Sequence, residues 1–169
     1  MEGKLRVAGT VGESIVDGPG FRYTVFTQGC PHHCPGCHNP QTHDFAGGTE
    51  MELGALLADM LKNKFVRGVT FSGGEPFCQA EPLFHLAEEL KKADKHLMAY
   101  TGYTFEQLLA LDDPYAQKLL GTLDLLVDGP FIEDERNIEL RFRGSANQRV
   151  LDVQASLAAG SPVWDERYR

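Results

Sequence analysis

Short apolar segments with strand character alternate with amphipathic helical segments along most of this sequence. Strands and helices that alternate at about 30-residue intervals form βα units and a largely parallel sheet. We therefore predict an α/β fold, a partial, open (β/α) barrel with about five to six strands, in a single domain over residues 1–169. A closed eight-stranded barrel is excluded because it typically needs about 250 residues. The strands are expected at residues 4–10, 21–27, 67–71, 96–100 and 123–127.

Four helices are expected between these strands. The first is predicted to begin at Thr49, because Thr49 and Glu52 have the spacing of a capping box. The second is predicted over residues 81–93, the third from Thr104, and the fourth over residues 113–120. These helices complete the βα units on which the fold prediction depends.

Four of the predicted strands end in polar loops that contain glycine. Residues 72–76 read Ser-Gly-Gly-Glu-Pro, residues 101–103 read Thr-Gly-Tyr, and residues 128–130 read Asp-Gly-Pro. A fourth loop, residues 28–48, follows the strand at 21–27 and holds three cysteines. Because ligands bind at the carboxyl ends of parallel strands, we expect all four loops to face one site.

Three of the four cysteines, Cys30, Cys34 and Cys37, lie within eight residues of one another. Such clustering favours metal ligation over a disulfide. One interpretation is a structural zinc knuckle completed by a nearby histidine. Another is a 4Fe–4S cluster with three protein thiolates and one iron left open to substrate. The run from Cys34 to His38 also matches a c-type haem attachment motif, but that chemistry needs export.

Charge and hydropathy limit the functions that this chain can have. Lys and Arg number 16 and Asp and Glu number 24, which makes the net charge −8. A negative balance argues against non-specific nucleic-acid binding, which needs a basic face. No apolar run approaches the roughly 20 residues that span a bilayer, and residues 1–14 lack the apolar stretch of a signal peptide. We therefore expect a cytoplasmic protein with neither a nucleic-acid nor a membrane partner.

The cysteine spacing Cys30-x3-Cys34-x2-Cys37 resembles the signature loop of radical S-adenosylmethionine enzymes. Asp17-Gly-Pro-Gly-Phe-Arg22 and the Phe26-Thr-Gln-Gly before Cys30 resemble the corresponding segments of glycyl-radical activating enzymes, and residues 72–76 resemble the family's GGEP loop. Residues 143–152, Arg-Gly-Ser-Ala-Asn-Gln-Arg-Val-Leu-Asp, resemble the tail of the short activators of anaerobic ribonucleoside-triphosphate reductase. The resemblance runs from about Gly12 to Asp152.

This resemblance implies two cofactors, a 4Fe–4S cluster and S-adenosylmethionine. The three clustered cysteines would ligate the cluster, and the open iron would chelate the methionine moiety. The residues that would surround S-adenosylmethionine are Gly36 and His38 at the adenine, Gly73, Gly74 and Glu75 at the methionine end, and Thr101 and Asp128 at the ribose. Many family members carry an aromatic residue where this chain has Gly36, so the residue that stacks on the adenine is left open.

The implied activity is that of an oxidoreductase that activates a glycyl-radical enzyme. A reduced cluster would cleave S-adenosylmethionine, and the resulting 5′-deoxyadenosyl radical would abstract hydrogen from a backbone glycine. The implied partners are the large subunit of the anaerobic ribonucleotide reductase and an electron donor such as flavodoxin or ferredoxin. Two alternatives remain: an activase of another glycyl-radical enzyme, such as pyruvate formate-lyase, or a non-catalytic zinc-binding interaction module.

The remaining candidates are expected to have ordinary roles. His32 and His33 are interpreted as exposed loop residues rather than ligands. The basic stretch of Arg136, Arg141, Arg143 and Arg149 is interpreted as a solvated surface, with contact to a partner or to a carboxylate as the alternative. Cys78 is predicted not to ligate the cluster, because a fourth thiolate would leave no iron open to substrate. We expect it to be a buried residue near a helix start, since free cysteine is among the more buried residue types.

These assignments predict opposite results for variants of two cysteines. Cys34→Ala should abolish 5′-deoxyadenosine formation from S-adenosylmethionine, because a three-thiolate cluster has no spare protein ligand. Cys78→Ser should keep the full iron content and most of the cleavage rate. The measurements are iron and sulfide per chain and product formation under anaerobic reduction. Near wild-type cleavage by Cys34→Ala, or loss of iron from Cys78→Ser, would show that the ligand set is wrong.

Overall fold

A computed structural model describes residues 1–169 and contains one seven-stranded sheet. The strands are β1 (Lys4–Ser14), β2 (Arg22–Thr27), β3 (Thr49–Glu52), β4 (Gly68–Gly73), β5 (His96–Tyr100), β6 (Leu125–Asp128) and β7 (Arg149–Asp152). The helices are α1 (Leu53–Lys62), α2 (Ala80–Lys92), α3 (Phe105–Ala110), α4 (Pro114–Thr122) and α5 (Val153–Ala159). None of these helices has the length and apolar character that crossing a bilayer requires.

The sheet has a parallel centre and antiparallel edges. Its strand order is β3-β1-β2-β4-β5-β6-β7. Strands β2, β4, β5 and β6 pair in parallel, whereas β1 pairs antiparallel with both β2 and β3, and β7 pairs antiparallel with β6. The end strands β3 and β7 do not pair with each other, so the sheet stays open. The predicted α/β class with a largely parallel sheet is confirmed, and the strand number is corrected to seven.

The predicted helix start at Thr49 is wrong. Residues Thr49–Glu52 form a strand whose backbone pairs with β1 from Lys4 to Val7. Helix α1 begins only at Leu53, and Glu52 precedes it without a side-chain capping bond. The capping-box spacing is therefore coincidental here, because pairing to the free edge of β1 satisfies the same backbone groups.

Strand β1 runs four residues past its predicted end and β6 begins two residues after its predicted start, whereas other boundaries agree closely with the sequence. Strand β5 has its predicted bounds, and Thr104 and Gln107 form the reciprocal capping box of α3. Asp113 caps α4 through a bond that its side chain accepts from the Tyr115 N–H. Strand β7 and helix α5 were not predicted, because the irregular segment before them has no strand or helix periodicity.

The two faces of the sheet have different partners. Along β5, Leu97 and Ala99 belong to the main core of 27 buried residues, which also contains the apolar stripes of the helices. Met98, between them, points to the other face and joins a small cluster with Leu125, Val127 and Val150. The helices therefore cover one face, and the concave face is left to loops and to the C-terminal segment.

A buried arginine ties the concave side together. Arg22 is 1% exposed, and its guanidinium donates to the Thr70 hydroxyl at 2.7 Å and to the carbonyl oxygens of Pro19, Val69 and His96 at 3.0, 3.0 and 3.2 Å. Burial lowers the pKa of Arg22 to about 10. One side chain thus joins the loop before β2 to strands β4 and β5, and the Arg22 of the sequence motif has a structural role.

Arg22→Lys should lower the free energy of unfolding by about 3 kcal/mol, because an ammonium cannot satisfy four acceptors in this spread and leaves buried carbonyls without donors. Arg67→Lys is the matched control, since Arg67 is exposed. Urea unfolding of both variants measures the difference. Equal stability losses in the two variants would contradict the role given to Arg22.

Candidate functional site

A cavity of about 560 Å³ opens on the concave side of the sheet. Among its lining residues are seven of the predicted site residues: Cys30, Cys34, Cys37, His38, Gly73, Gly74 and Thr101. The remaining three predicted residues, Gly36, Glu75 and Asp128, are not part of its lining. The cavity wall also includes Phe131 and Phe142, which the sequence did not indicate, and Arg143, which begins the motif at residues 143–152.

The cysteine loop closes on itself through backbone bonds. The Gly29 N–H donates to the Thr42 carbonyl at 2.7 Å, and the Cys30 N–H donates to the His43 carbonyl at 3.2 Å. The Gln28 side chain donates from inside the loop to the carbonyls of Gln41 and Asp44. These bonds fix both ends of the segment that carries the three thiols.

The three thiols of this loop are free and face the same cavity. Cys30 is buried, whereas Cys34 and Cys37 are half-buried. Burial, followed by the nearby charge of Glu75, raises the pKa of the Cys30 thiol. Because only a thiolate ligates metal, metal binding at Cys30 must release a proton.

Three thiols on one loop could hold a 4Fe–4S cluster, in which each protein thiolate ligates its own iron. No group of three or more His, Cys, Asp or Glu side chains has the arrangement of ligands around one metal ion. Three protein ligands also leave one of the four irons for another molecule.

Two glycines bring the second loop against the first. A Cβ atom added to Gly74 would lie 2.4 Å from the Gly29 carbonyl oxygen, and one added to Gly73 would lie 2.4 Å from the Thr27 nitrogen. Gly73 also has a φ of +98°, which side chains rarely adopt. The bonds from the Gly74 N–H to the Thr27 carbonyl and from the Glu75 N–H to the Gly29 carbonyl, both 2.8 Å, hold this contact.

The Glu75 carboxylate links three loops. It is fully buried, and Oε1 accepts hydrogen bonds from the Gly102 N–H and the Thr101 hydroxyl, both at 2.8 Å. The same oxygen pairs with His32 Nε2 at 2.6 Å, and Oε2 accepts from the Phe77 N–H at 3.0 Å. Glu75 therefore acts through its side chain, as a connection between the cysteine loop and the strand ends, and does not line the cavity.

The interpretation of His32 as an exposed loop residue is wrong. Its side chain is 16% exposed and packs edge-on against Tyr103, with ring centroids 4.6 Å apart. A Cβ at Gly102 would lie 2.4 Å from the His32 ring, so the glycine makes room for it. Because His32 and Glu75 are 43 positions apart, no local pattern in the sequence could have revealed the pair.

The expected adenine side of the site has aromatic surfaces. Gly36 has a φ of +74° and is exposed, and a Cβ there would lie 2.9 Å from the Glu133 carboxyl carbon. The His38 ring lies 5.1 Å from the Phe131 ring, and both residues line the cavity. Phe131 belongs to the long segment after β6, which has no periodicity that could have singled it out.

The two residues expected at the ribose have other partners. The Thr101 hydroxyl lines the cavity but already donates to Glu75. Asp128 is buried, accepts from the Phe105 N–H at 2.7 Å and pairs with Arg149, whose Nε lies 3.0 Å from Oδ1. The Asp128 carboxylate is therefore not available to a ribose, because Arg149 and the first residue of α3 already occupy its oxygens.

Cys78 is exposed, which corrects the expectation that it is buried. Packing around its sulfur removes part of its water and, together with the charge of Glu75, raises the pKa of the thiol to about 11. A thiol with a raised pKa is a poor nucleophile at neutral pH.

Glu75→Gln should weaken the connection between the cysteine loop and the strand ends without changing the size of the side chain. The amide nitrogen cannot accept, so one of the donors now satisfied by the carboxylate loses its partner, at a cost of about 1–3 kcal/mol. We expect a lower unfolding temperature and less iron retained per chain after anaerobic reconstitution. Glu88→Gln, on the exposed side of α2, is the control. Wild-type iron content and stability in Glu75→Gln would contradict the linking role of this carboxylate.

Comparison with known families and relatives agrees with a cluster site. The family described as "4Fe-4S single cluster domain" matches residues 16–151. A protein of Vibrio cholerae named anaerobic ribonucleoside-triphosphate reductase-activating protein is 38% identical over 145 residues, which cover 80% of this chain and 90% of that protein. Proteins with the same name from Escherichia coli K12 and from phage T4 are each 32% identical over 144 residues, covering 80% of this chain and 91% and 86% of theirs.

Among solved structures, that of QueE from Escherichia coli has a TM-score of 0.47 at 20% identity. The match covers 60% of this chain and 54% of that structure.

Proposed function

Because this chain belongs to the family of anaerobic ribonucleoside-triphosphate reductase-activating proteins, we propose that it installs a glycyl radical on the large subunit of that reductase. One observation carries the proposal. Three free thiols on one loop line an open cavity, and Gly73 and Gly74 line the same cavity beside them. A single-domain organisation over residues 1–169 and a cytoplasmic location are part of the same proposal.

The residues present fit both implied cofactors. Cys30, Cys34 and Cys37 would hold the 4Fe–4S cluster, and Gly73 and Gly74 would admit the methionine end of S-adenosylmethionine beside it. When bound, this pair supplies one-electron reductive cleavage to methionine and a 5′-deoxyadenosyl radical that can take a hydrogen atom from glycine. His38 and Phe131 present aromatic surfaces against which an adenine could pack.

The chain itself contributes binding, orientation and exclusion of water. The Glu75 carboxylate holds the cysteine loop against the ends of β4 and β5, so the thiols and the glycines keep one relative position. The open sheet edge leaves room for a polypeptide loop, which suits a glycine that belongs to another protein. The electron is proposed to come from a reduced flavodoxin or ferredoxin.

The direct test is anaerobic incubation of the reconstituted chain with reductant, S-adenosylmethionine and the candidate reductase subunit. We expect a glycyl-radical doublet in the electron paramagnetic resonance spectrum. We also expect one molecule of methionine for each glycyl radical formed. Cys34→Ala should produce neither signal nor methionine. If a radical forms on pyruvate formate-lyase but not on the reductase, the partner is a different glycyl-radical enzyme. If the purified protein is colourless and contains zinc, it is a zinc-binding interaction module and not an enzyme.

A further inference from the structure

Two of the three buried side-chain polar atoms that lack a hydrogen-bond partner belong to residues that line the cavity. These atoms are His43 Nε2, on the cysteine loop, and Arg143 Nε, on the segment between β6 and β7. Buried polar groups are nearly always satisfied by protein, water or a bound molecule, so both atoms have an unused hydrogen-bonding capacity beside the cavity. Arg143 is the more informative of the two, because it carries a full charge.

The guanidinium of Arg143 makes one hydrogen bond within the chain, and its Nε is buried without a partner. Nη1 donates to the Gln148 carbonyl at 3.0 Å, and no other hydrogen bond of this side chain is present. Burial, followed by the charge of Arg169, lowers the pKa of Arg143, and no carboxylate of the chain offsets this. Nη2 has no hydrogen-bond partner in the chain, and a guanidinium N–H can donate a charge-assisted hydrogen bond to a carboxylate.

Arg143 belongs to a group of arginines and aromatic rings that we call the arginine face, formed by Arg141, Phe142, Arg143, Trp164, Tyr168 and Arg169. The Arg141 guanidinium lies 5.1 Å from the Tyr168 ring centroid, and those of Arg143 and Arg169 lie 5.1 and 4.8 Å from that of Trp164. Ring stacking of this kind holds guanidinium groups in place without neutralising them.

Two of the three arginines of this face, Arg141 and Arg143, have no ion-pair partner, whereas Arg169 pairs with Glu166 at 2.9 Å. The arginine ion pairs of the structure involve Arg6, Arg149, Arg167 and Arg169, and none involves Arg141 or Arg143. The four acidic residues of the same segment, Glu133, Asp134, Glu135 and Glu139, are in none of the arginine ion pairs. A positive face on a chain of net charge −8 can attract acidic partners selectively.

Exposed apolar side chains also border the cavity, and they indicate that the occupant is a polypeptide. Val16 lines the cavity from the loop between β1 and β2 and is 74% exposed, and its neighbour Ile15 is 69% exposed. Apolar residues at this exposure suit contact with a protein surface rather than with a small anion.

We propose that the arginine face binds a carboxylate-bearing segment of the protein whose glycine enters the cavity, with Arg143 pairing at the cavity wall and Arg141 at the rim. This rests on the proposed function and deepens it, since it names the surface and the charge by which the partner is recognised. The arginine face guides the acidic segment to the open side of the sheet and sets the direction in which the chain enters.

The test is the affinity for the reductase subunit of three full-length, cluster-loaded proteins in the presence of S-adenosylmethionine. Wild type is compared with Arg141→Glu and with Lys64→Glu, which makes the same charge change at an exposed site before β4, at the other end of the strands. We expect Arg141→Glu to weaken binding on the order of tenfold, with a shallower salt dependence, and Lys64→Glu to stay near wild type. Cleavage of S-adenosylmethionine without reductase checks that each variant's cofactor site is intact.

Equal affinities for Arg141→Glu and Lys64→Glu would overturn the proposal, provided that wild type binds and activates the reductase. If Arg141→Glu also loses cleavage of S-adenosylmethionine in the absence of reductase, the arginine face belongs to the cofactor site, and the proposal is likewise overturned. If wild type binds free ATP tightly and Arg141→Glu does not, the ligand of the arginine face is a nucleotide, and the proposal is overturned. If wild type cleaves S-adenosylmethionine but neither binds nor activates the reductase, the proposed function itself fails.

Discussion

The site depends on one buried carboxylate. Glu75 accepts from the loop after β5 and from its own turn, and pairs with His32 on the cysteine loop. A fully buried carboxylate is costly unless donors surround it, so the loops that supply these donors are held together by the need to satisfy it. The thiols, the glycines and the end of β5 consequently keep one arrangement.

The glycines next to Glu75 serve the same arrangement. Gly73 and Gly74 bring the β4 loop into direct backbone contact with the start of the cysteine loop, at distances that exclude a Cβ atom. The contact places the thiols at the carboxyl ends of the parallel strands, where α/β sheets bind ligands. Antiparallel strands at both edges then end the sheet before it can close, and this leaves the concave side accessible to a large partner.

Local patterns in the sequence predicted much of this architecture. The alternation of strands and helices indicated the parallel centre, and the capping box of α3 and the bounds of β5 were found from short-range rules. The capping-box rule failed at Thr49, because pairing with β1 outweighed a local preference. Similarly, the irregular segment before β7 hid both that strand and the cavity wall that contains Phe131 and Arg143.

The site was predictable where its residues are clustered along the chain or follow the end of a predicted strand, as Gly73, Gly74 and Thr101 do. Cys30, Cys34 and Cys37 form a recognisable spacing, and all three line the cavity. The His32–Glu75 and Asp128–Arg149 pairs join segments that are distant in sequence, so the side-chain roles of these residues follow only from the fold. The same holds for Arg141 and Arg143, which the sequence presents as part of an ordinary charged stretch and the fold places beside aromatic rings.

We propose that three cysteines hold a cluster with one iron open to S-adenosylmethionine. Electron–nuclear double resonance on the reduced protein tests it most directly, with S-adenosylmethionine labelled by ¹⁵N at the amino group and ¹⁷O at the carboxylate. We expect hyperfine coupling of both labels to the cluster in wild type, because the amino and carboxylate groups would bind the open iron. A cluster signal that shows no coupling to either label would contradict it.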